Sequence, residues 1–182
     1  IKPNNDGHVV IPSNWTVVGN MAFSKCSSLV SVTIGDSVIS IGERAFDYCP
    51  NLSSVAIGNG VREIGVKAFS NCKLLLSVTM GPNVKSILKE AFRDCFSLAR
   101  IDIPEGVTFI GERAFYVCSS LETVKIPDSV TSIEREAFSN CGALTSVSLG
   151  DGLKEIPKSL FKMNHALEMV TFGRSVEIIG SF

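Results

Sequence analysis

Seven phenylalanines, Phe23, Phe46, Phe69, Phe92, Phe115, Phe138 and Phe161, stand at a constant interval of 23 residues in a chain of 182. Other columns keep the same step. Cys26, Cys49, Cys72, Cys95, Cys118 and Cys141 follow three residues behind, and Asn164 takes the seventh place. Leu29 to Leu167, Val32 to Val170 and Ile41 to Ile179 run in parallel with no insertion or deletion, Ile101 replacing valine once. A fixed period of this length is the signature of stacked repeats, and it constrains the fold more than any local propensity.

The unit can be read through residues 26–48. Val32-Thr33-Ile34 alternates apolar and polar residues, which is strand periodicity. Glycine or proline punctuates the end of that strand at Gly35, Gly58, Gly81, Pro104, Pro127, Gly150 and Gly173. Val38–Ile41 reads as a second short strand, and Glu43–Asp47 as one helical turn. A single 23-residue unit cannot bury enough apolar surface to offset the entropy of ordering it, so neighbours must cover both of its faces. The prediction is a row of coils whose strands pair in parallel, about 4.8 Å apart.

The series Cys-x-x-Leu-x-x-Val-x-Ile-Pro/Gly-x-x-Val-x-x-Ile-Gly-x-x-Ala-Phe resembles the BspA-like leucine-rich-repeat family. Residues 118–138 carry it as Cys118, Leu121, Val124, Ile126, Pro127, Val130, Ile133, Ala137 and Phe138, with Glu134 in place of the glycine. The resemblance spans nearly the whole chain. It implies an α/β leucine-rich-repeat solenoid: a right-handed superhelix with a parallel concave sheet and short helical turns. It also implies a surface or secreted protein that works as an adhesin. On this reading residues 1–182 are a single array of about seven coils with partial coils at both ends, cut from a longer parent array.

Composition excludes several other classes. An apolar fraction of 45% supplies a core, and a net charge of -1 gives no bulk attraction to nucleic acid or anionic membrane. No apolar run reaches the roughly 18 residues of a membrane span. The cysteines are all 23 apart, unlike the close pairs of zinc sites, and parallel stacking seldom gives disulfide geometry. A ladder of buried free thiols is therefore expected, with Asn164 bonding backbone where a thiol merely packs. No catalytic, metal or cofactor constellation stands out. Ser31, Ser54, Ser77 and Ser146 share a column with no histidine expected beside them. Asp36, Asp128 and Asp151 suit a turn rather than acid–base work.

Binding surface is sought where the columns depart from their norm. The outward strand positions are mostly small and neutral, except for Arg100, Asp102 and Lys125 with Glu122 nearby. These charges are expected either to bridge one another or to contact a partner. Phe96, Phe109 and Tyr116 sit where other repeats hold serine, glycine or charge. With Leu74, Leu76 and Leu88 they suggest local packing at coil edges or a patch for a protein partner or a second copy. The leading expectation is a non-enzymatic module at the cell surface, or secreted, that binds matrix or cell-surface proteins. The alternatives are a structural spacer and an intracellular scaffold with no ligand of its own.

Overall fold

The structure, a computed structural model, describes residues 2–181. Strands recur at the sequence period. The coils contribute, in order, β1 (His8–Ile11) and β2 (Val17–Val18), β3 (Ser31–Ile34) and β4 (Ser40–Ile41), β5 (Ser54–Ile57) and β6 (Glu63–Ile64), then β7 (Ser77–Thr79) and β8 (Ser86–Ile87). The next coil has β9 (Phe109–Ile110) alone. After it come β10 (Thr123–Ile126) and β11 (Ser132–Ile133), β12 (Ser146–Leu149) and β13 (Glu155–Ile156), and finally β14 (Met169–Thr171) and β15 (Ile178–Ile179). All pairing is parallel and in register at the repeat, with Val32 opposite Val55 and Ile64 opposite Ile87. The second strand of each unit is shorter than the expected Val38–Ile41 stretch.

Alternation decides which side chains enter the core. Val32 and Ile34 are buried while Ser31 and Thr33 face outward, and the pattern repeats in Ser54–Ile57. Behind the strands runs a spine of phenylalanines. Phe46, Phe69, Phe92, Phe115 and Phe138 are fully buried. Consecutive rings from Phe23 to Phe138 stack with centroids 5.0–5.3 Å apart and planes within 6°. The last step, Phe138 to Phe161, opens to 6.4 Å and 29°.

Three expectations need correction. First, no helix occurs among the described residues, so the chain is all-β rather than α/β. The stretch from Glu43 to Asp47 forms tight turns, because its amides alternate between two uses. Ala45 N–H donates to the Gly42 carbonyl and Asp47 N–H to Arg44, three residues back. Arg44, Phe46 and Tyr48 instead donate to Val66, Ala68 and Ser70 in the next coil, at 2.7–2.9 Å. An α-helix would instead aim its amides at carbonyls four residues back, and none of these bonds does so. The geometry also needs left-handed backbone at two points per coil. Fourteen non-glycine residues adopt it, in the columns of Arg44 and Tyr48, with φ of 54–63°.

Second, the thiols do more than pack. Cys49, Cys72, Cys95, Cys118 and Cys141 each donate to the phenylalanine carbonyl 26 residues earlier, at 3.1–3.3 Å. Asn164 does the same to Phe138 at 2.8 Å, and its Oδ1 accepts the Cys141 amide. The six cysteines are free, and five are buried.

Third, a histidine does stand in the serine column. His8 Nδ1 lies 2.7 Å from Ser31 Oγ, because the register places the two residues opposite each other across β1 and β3.

The two sheets break at different places. The first, built from the longer strands, divides into β1-β3-β5-β7 and β10-β12-β14. The second divides into six strands from β2 to β11 and the pair β13-β15. The second break has a visible cause. Gly42, Gly65, Leu88, Gly111, Glu134 and Gly180 each donate their amide to the preceding coil at 2.8–3.0 Å. Pro157 occupies that column between β11 and β13 and has no N–H to give.

Candidate functional site

The break in the first sheet falls at Arg100–Ile103, the one place between β1 and β14 where a coil supplies no strand to it. Among the described residues no backbone hydrogen bond joins Arg100–Ile103 to the coil before or after. At the entrance to this sheet the carbonyls of Val30, Ser53, Ala99, Glu122 and Thr145 each accept an amide from the next coil at 2.8–3.1 Å. The Leu76 carbonyl in the same column accepts none. The opening is confined to this face. Phe69, Phe92 and Phe115 keep their 5.3 Å spacing, and Gly111 still donates to Ile87 at 2.8 Å.

The local burial pattern survives the loss of pairing. Ile101 and Ile103 point into the core, while Arg100 and Asp102 are exposed. A hollow of about 360 Å3 lies between this coil and the next, lined by Arg100, Asp102, Glu105, Thr123 and Lys125 among others. A second, of about 460 Å3, lies on the other side against Thr79, Met80 and Pro82. The structure thus brings together Arg100, Asp102 and Lys125. Lys125 does not bridge to Asp102 but to Glu105, at 3.6 Å between largely exposed side chains. Among the described residues Arg100, Asp102 and Glu122 form no ion pair, so the expected mutual bridging is absent. Glu122 is exposed at the entrance to β10.

The aromatic candidates lie elsewhere and are half-buried. Lys73 Nζ sits over the Phe96 ring at 5.6 Å. Tyr116 lies between Arg93 and Arg113, each 5.5 Å from its ring centre. Phe109 is in β9, opposite Ser86 and Ser132 in the second sheet. None of the three lines either hollow. Leu74 and Leu76 are the exposed apolar residues beside the opening.

A charged network on the turn face was not anticipated. Lys67 and Arg93 both reach Glu90, at 3.3 and 3.1 Å, and Arg93 also holds Asp94. Lys89 and Arg135 share Glu112 at 2.8 and 2.7 Å, and Arg113 pairs with Glu136 at 2.8 Å. Lys67/Glu90, Lys89/Glu112, Glu112/Arg135 and Arg113/Glu136 are each 23 apart, so opposite charge at the repeat interval was the available signal. Burial opposes ionisation of Glu90, but the Arg93 hydrogen bond and Lys67 outweigh it and hold the carboxyl below its usual range. Lys89 and Arg135 likewise lower Glu112, and Arg113 lowers Glu136. Asp47 on the same face behaves oppositely. Burial raises its pKa despite Asn71, Arg44 and Lys67, and its Oδ1 is buried without a hydrogen bond.

The turn aspartates brace the stack. Asp36, Asp128 and Asp151 accept the amides of Asn59, Asp151 and Arg174 in the following coils at 2.7–2.9 Å. The His8–Ser31 pair has a base beside a hydroxyl, but among the described residues no third group orients the imidazole through its other nitrogen. No group of three or more metal-ligating side chains occurs among the described residues, and no helix is long and apolar enough to cross a membrane.

Stacked coils with two parallel sheets and an in-register aromatic spine define a leucine-rich-repeat β-solenoid. The chain belongs to the BspA-type leucine-rich-repeat family, whose model matches in six copies over residues 5–116 and 85–182. Solved relatives agree. A leucine-rich-repeat protein from Bacteroides ovatus is 33% identical, with a TM-score of 0.77 over 82% of this chain and 41% of that one. The T. pallidum leucine-rich-repeat protein is 31% identical, with a TM-score of 0.70 over 97% of this chain and 74% of that one. One from Eubacterium ventriosum shares the fold at 22% identity, with a TM-score of 0.75 over 98% of this chain and 58% of that one. The chain therefore spans less than half the length of the B. ovatus protein. No curated protein sequence matches it. Repeat proteins of this kind are generally protein-binding, and the solenoid is typically a non-enzymatic scaffold.

Proposed function

We propose that the chain is a non-enzymatic adhesion module that binds matrix or cell-surface proteins from a cell surface or in secreted form. The observation that carries this reading is the charged pair Arg100 and Asp102 at the opened seam. Both are exposed and, among the described residues, make no ion pair where the first sheet loses its ladder, and the columns around them hold mainly Ser, Thr and Ala. Charge without an internal partner contributes little to folding but sets partner choice and association rate. The solenoid supplies the rigid support such a surface needs.

Binding of the purified chain to a panel of matrix and cell-surface proteins tests the reading. Specific, saturable binding that weakens in Arg100→Ala/Asp102→Ala is the expected result. Absence of binding across the panel would favour a spacer. Binding indifferent to both substitutions would move the contact to another face.

A further inference from the structure

We infer that the seam at Arg100–Ile103 receives an extended segment of the partner protein, one carrying an acidic and a basic residue two positions apart. The inference rests on the protein-binding reading above and specifies the chemistry of what is bound. Arg100 and Asp102 point the same way, flanking the buried Ile101. Two residues of extended backbone set such side chains about 6.6 Å apart along the chain. An extended partner laid across them presents its own alternate side chains at the same pitch, so one acid and one base meet the two charges in register. The nearest competitors, Glu105 and Lys125, are already engaged with each other at 3.6 Å. The next positions in these columns, Ser77, Thr79 and Thr123, bring no countercharge.

The backbone favours an extended occupant over a helical one. Arg100–Ile103 make no backbone bond to either neighbouring coil, and the Leu76 carbonyl accepts none from the next coil. A helix has satisfied its own amides and carbonyls, whereas an extended segment brings spare donors and acceptors. The hollows on the two sides of the seam, about 360 and 460 Å3, leave room for partner side chains beside the charged pair. They are lined on the first side by Thr123 and Lys125 and on the second by Thr79, Met80 and Pro82.

Synthetic peptides on an alternating Ser/Val background provide the test. Five are needed: acid-x-base, base-x-acid, acid-x-acid, base-x-base and neutral. Fluorescence anisotropy at low salt would measure their binding to the intact chain and to Arg100→Asp/Asp102→Arg. The expected result is that one mixed order binds about tenfold tighter than the other four peptides, and that the swapped variant prefers the opposite order. Arg100→Ser/Asp102→Thr, which copies neighbouring coils, should lose the discrimination while keeping the native circular dichroism. Equal binding of the two mixed orders, or a preference that survives the swap, overturns the inference. If those results accompany intact binding to matrix or cell-surface proteins, only the inference fails. If the chain binds neither peptides nor such proteins, the protein-binding reading fails with it.

Discussion

Replacing Phe92 by alanine removes the middle ring of the spine. Phe92 is fully buried and stacks on Phe69 and Phe115, both at 5.3 Å. Its loss leaves a cavity closed by two rings that cannot approach each other while the flanking coils stay in register. A cost of about 4 kcal/mol follows from large-to-small core substitutions. Phe161 offers the internal comparison. It is nearly as buried, but among the described residues it stacks on one ring only, Phe138, at 6.4 Å and 29°, and its coil is the last, where Val170 and Val176 are only partly buried. Phe161→Ala should cost about 2 kcal/mol, since the last coil can collapse into the space. With a urea dependence of about 2 kcal/mol per molar, the midpoints should fall by about 2 M and 1 M. A double-mutant cycle on Phe92 and Phe115 should also show coupling of about 1 kcal/mol, while Phe46 and Phe115, two steps further apart along the spine, should add independently. Equal costs at Phe92 and Phe161, or equal coupling in both pairs, would refute the idea that stability here is a sum of nearest-neighbour contacts.

Asn140→Val should cost about 2 kcal/mol, because it forces a β-branched residue to φ 60° and removes the bond from Nδ2 to Ser139 Oγ; Asn140→Gly should cost clearly less by urea titration. The carboxyls of Glu90, Glu112 and Glu136 have folded pKa values below their usual 4.5, so their contribution is complete above that value and is lost as pH falls through the lower folded values. Glu112→Gln should therefore flatten the loss of stability on acidification, read as thermal midpoints between about pH 5 and 3. Asp47 has the opposite sign: its folded pKa is raised from 3.8, so ionisation disfavours the fold, and Asp47→Asn should stabilise the protein at neutral pH and lose that advantage in acid. Thiol titration should find one fast-reacting group, Cys26, in the native protein and six in denaturant, since the other five are buried; burial also pushes the Cys141 thiol up to about 12 and raises Cys95 and Cys118, whereas a hydrogen bond with Cys72 lowers Cys49, which burial alone shields.

Much of the candidate site was legible in advance because the repeat supplies its own reference. Arg100, Asp102 and Lys125 stood out against columns of Ser, Thr and Ala, and the structure places all three on the wall of one hollow. Phe109 and Tyr116 stood out by the same logic, yet one belongs to the second sheet and the other is held between two arginines. A column deviation marks a residue as unusual without saying what its neighbours do with it. The helical reading of Glu43–Asp47 failed for a related reason: a short run with helix-compatible residues gives no sign that alternate amides are claimed by the next coil. His8 beside Ser31 was within reach, because the two are 23 apart, but the partial first coil hid it.

The stacked architecture, the parallel register and the membership of the core all follow from the repeat, because a strict 23-residue period leaves each apolar column a single way to be covered. The sequence also contained the second-sheet break, since Pro157 has no amide to donate. Where the first sheet comes apart, which charges find partners, and the shared use of one set of carbonyls by five thiols and one asparagine emerge from the folded packing alone. Those outcomes depend on how neighbouring coils seat on one another, which the packing of all the columns sets together and no one column encodes.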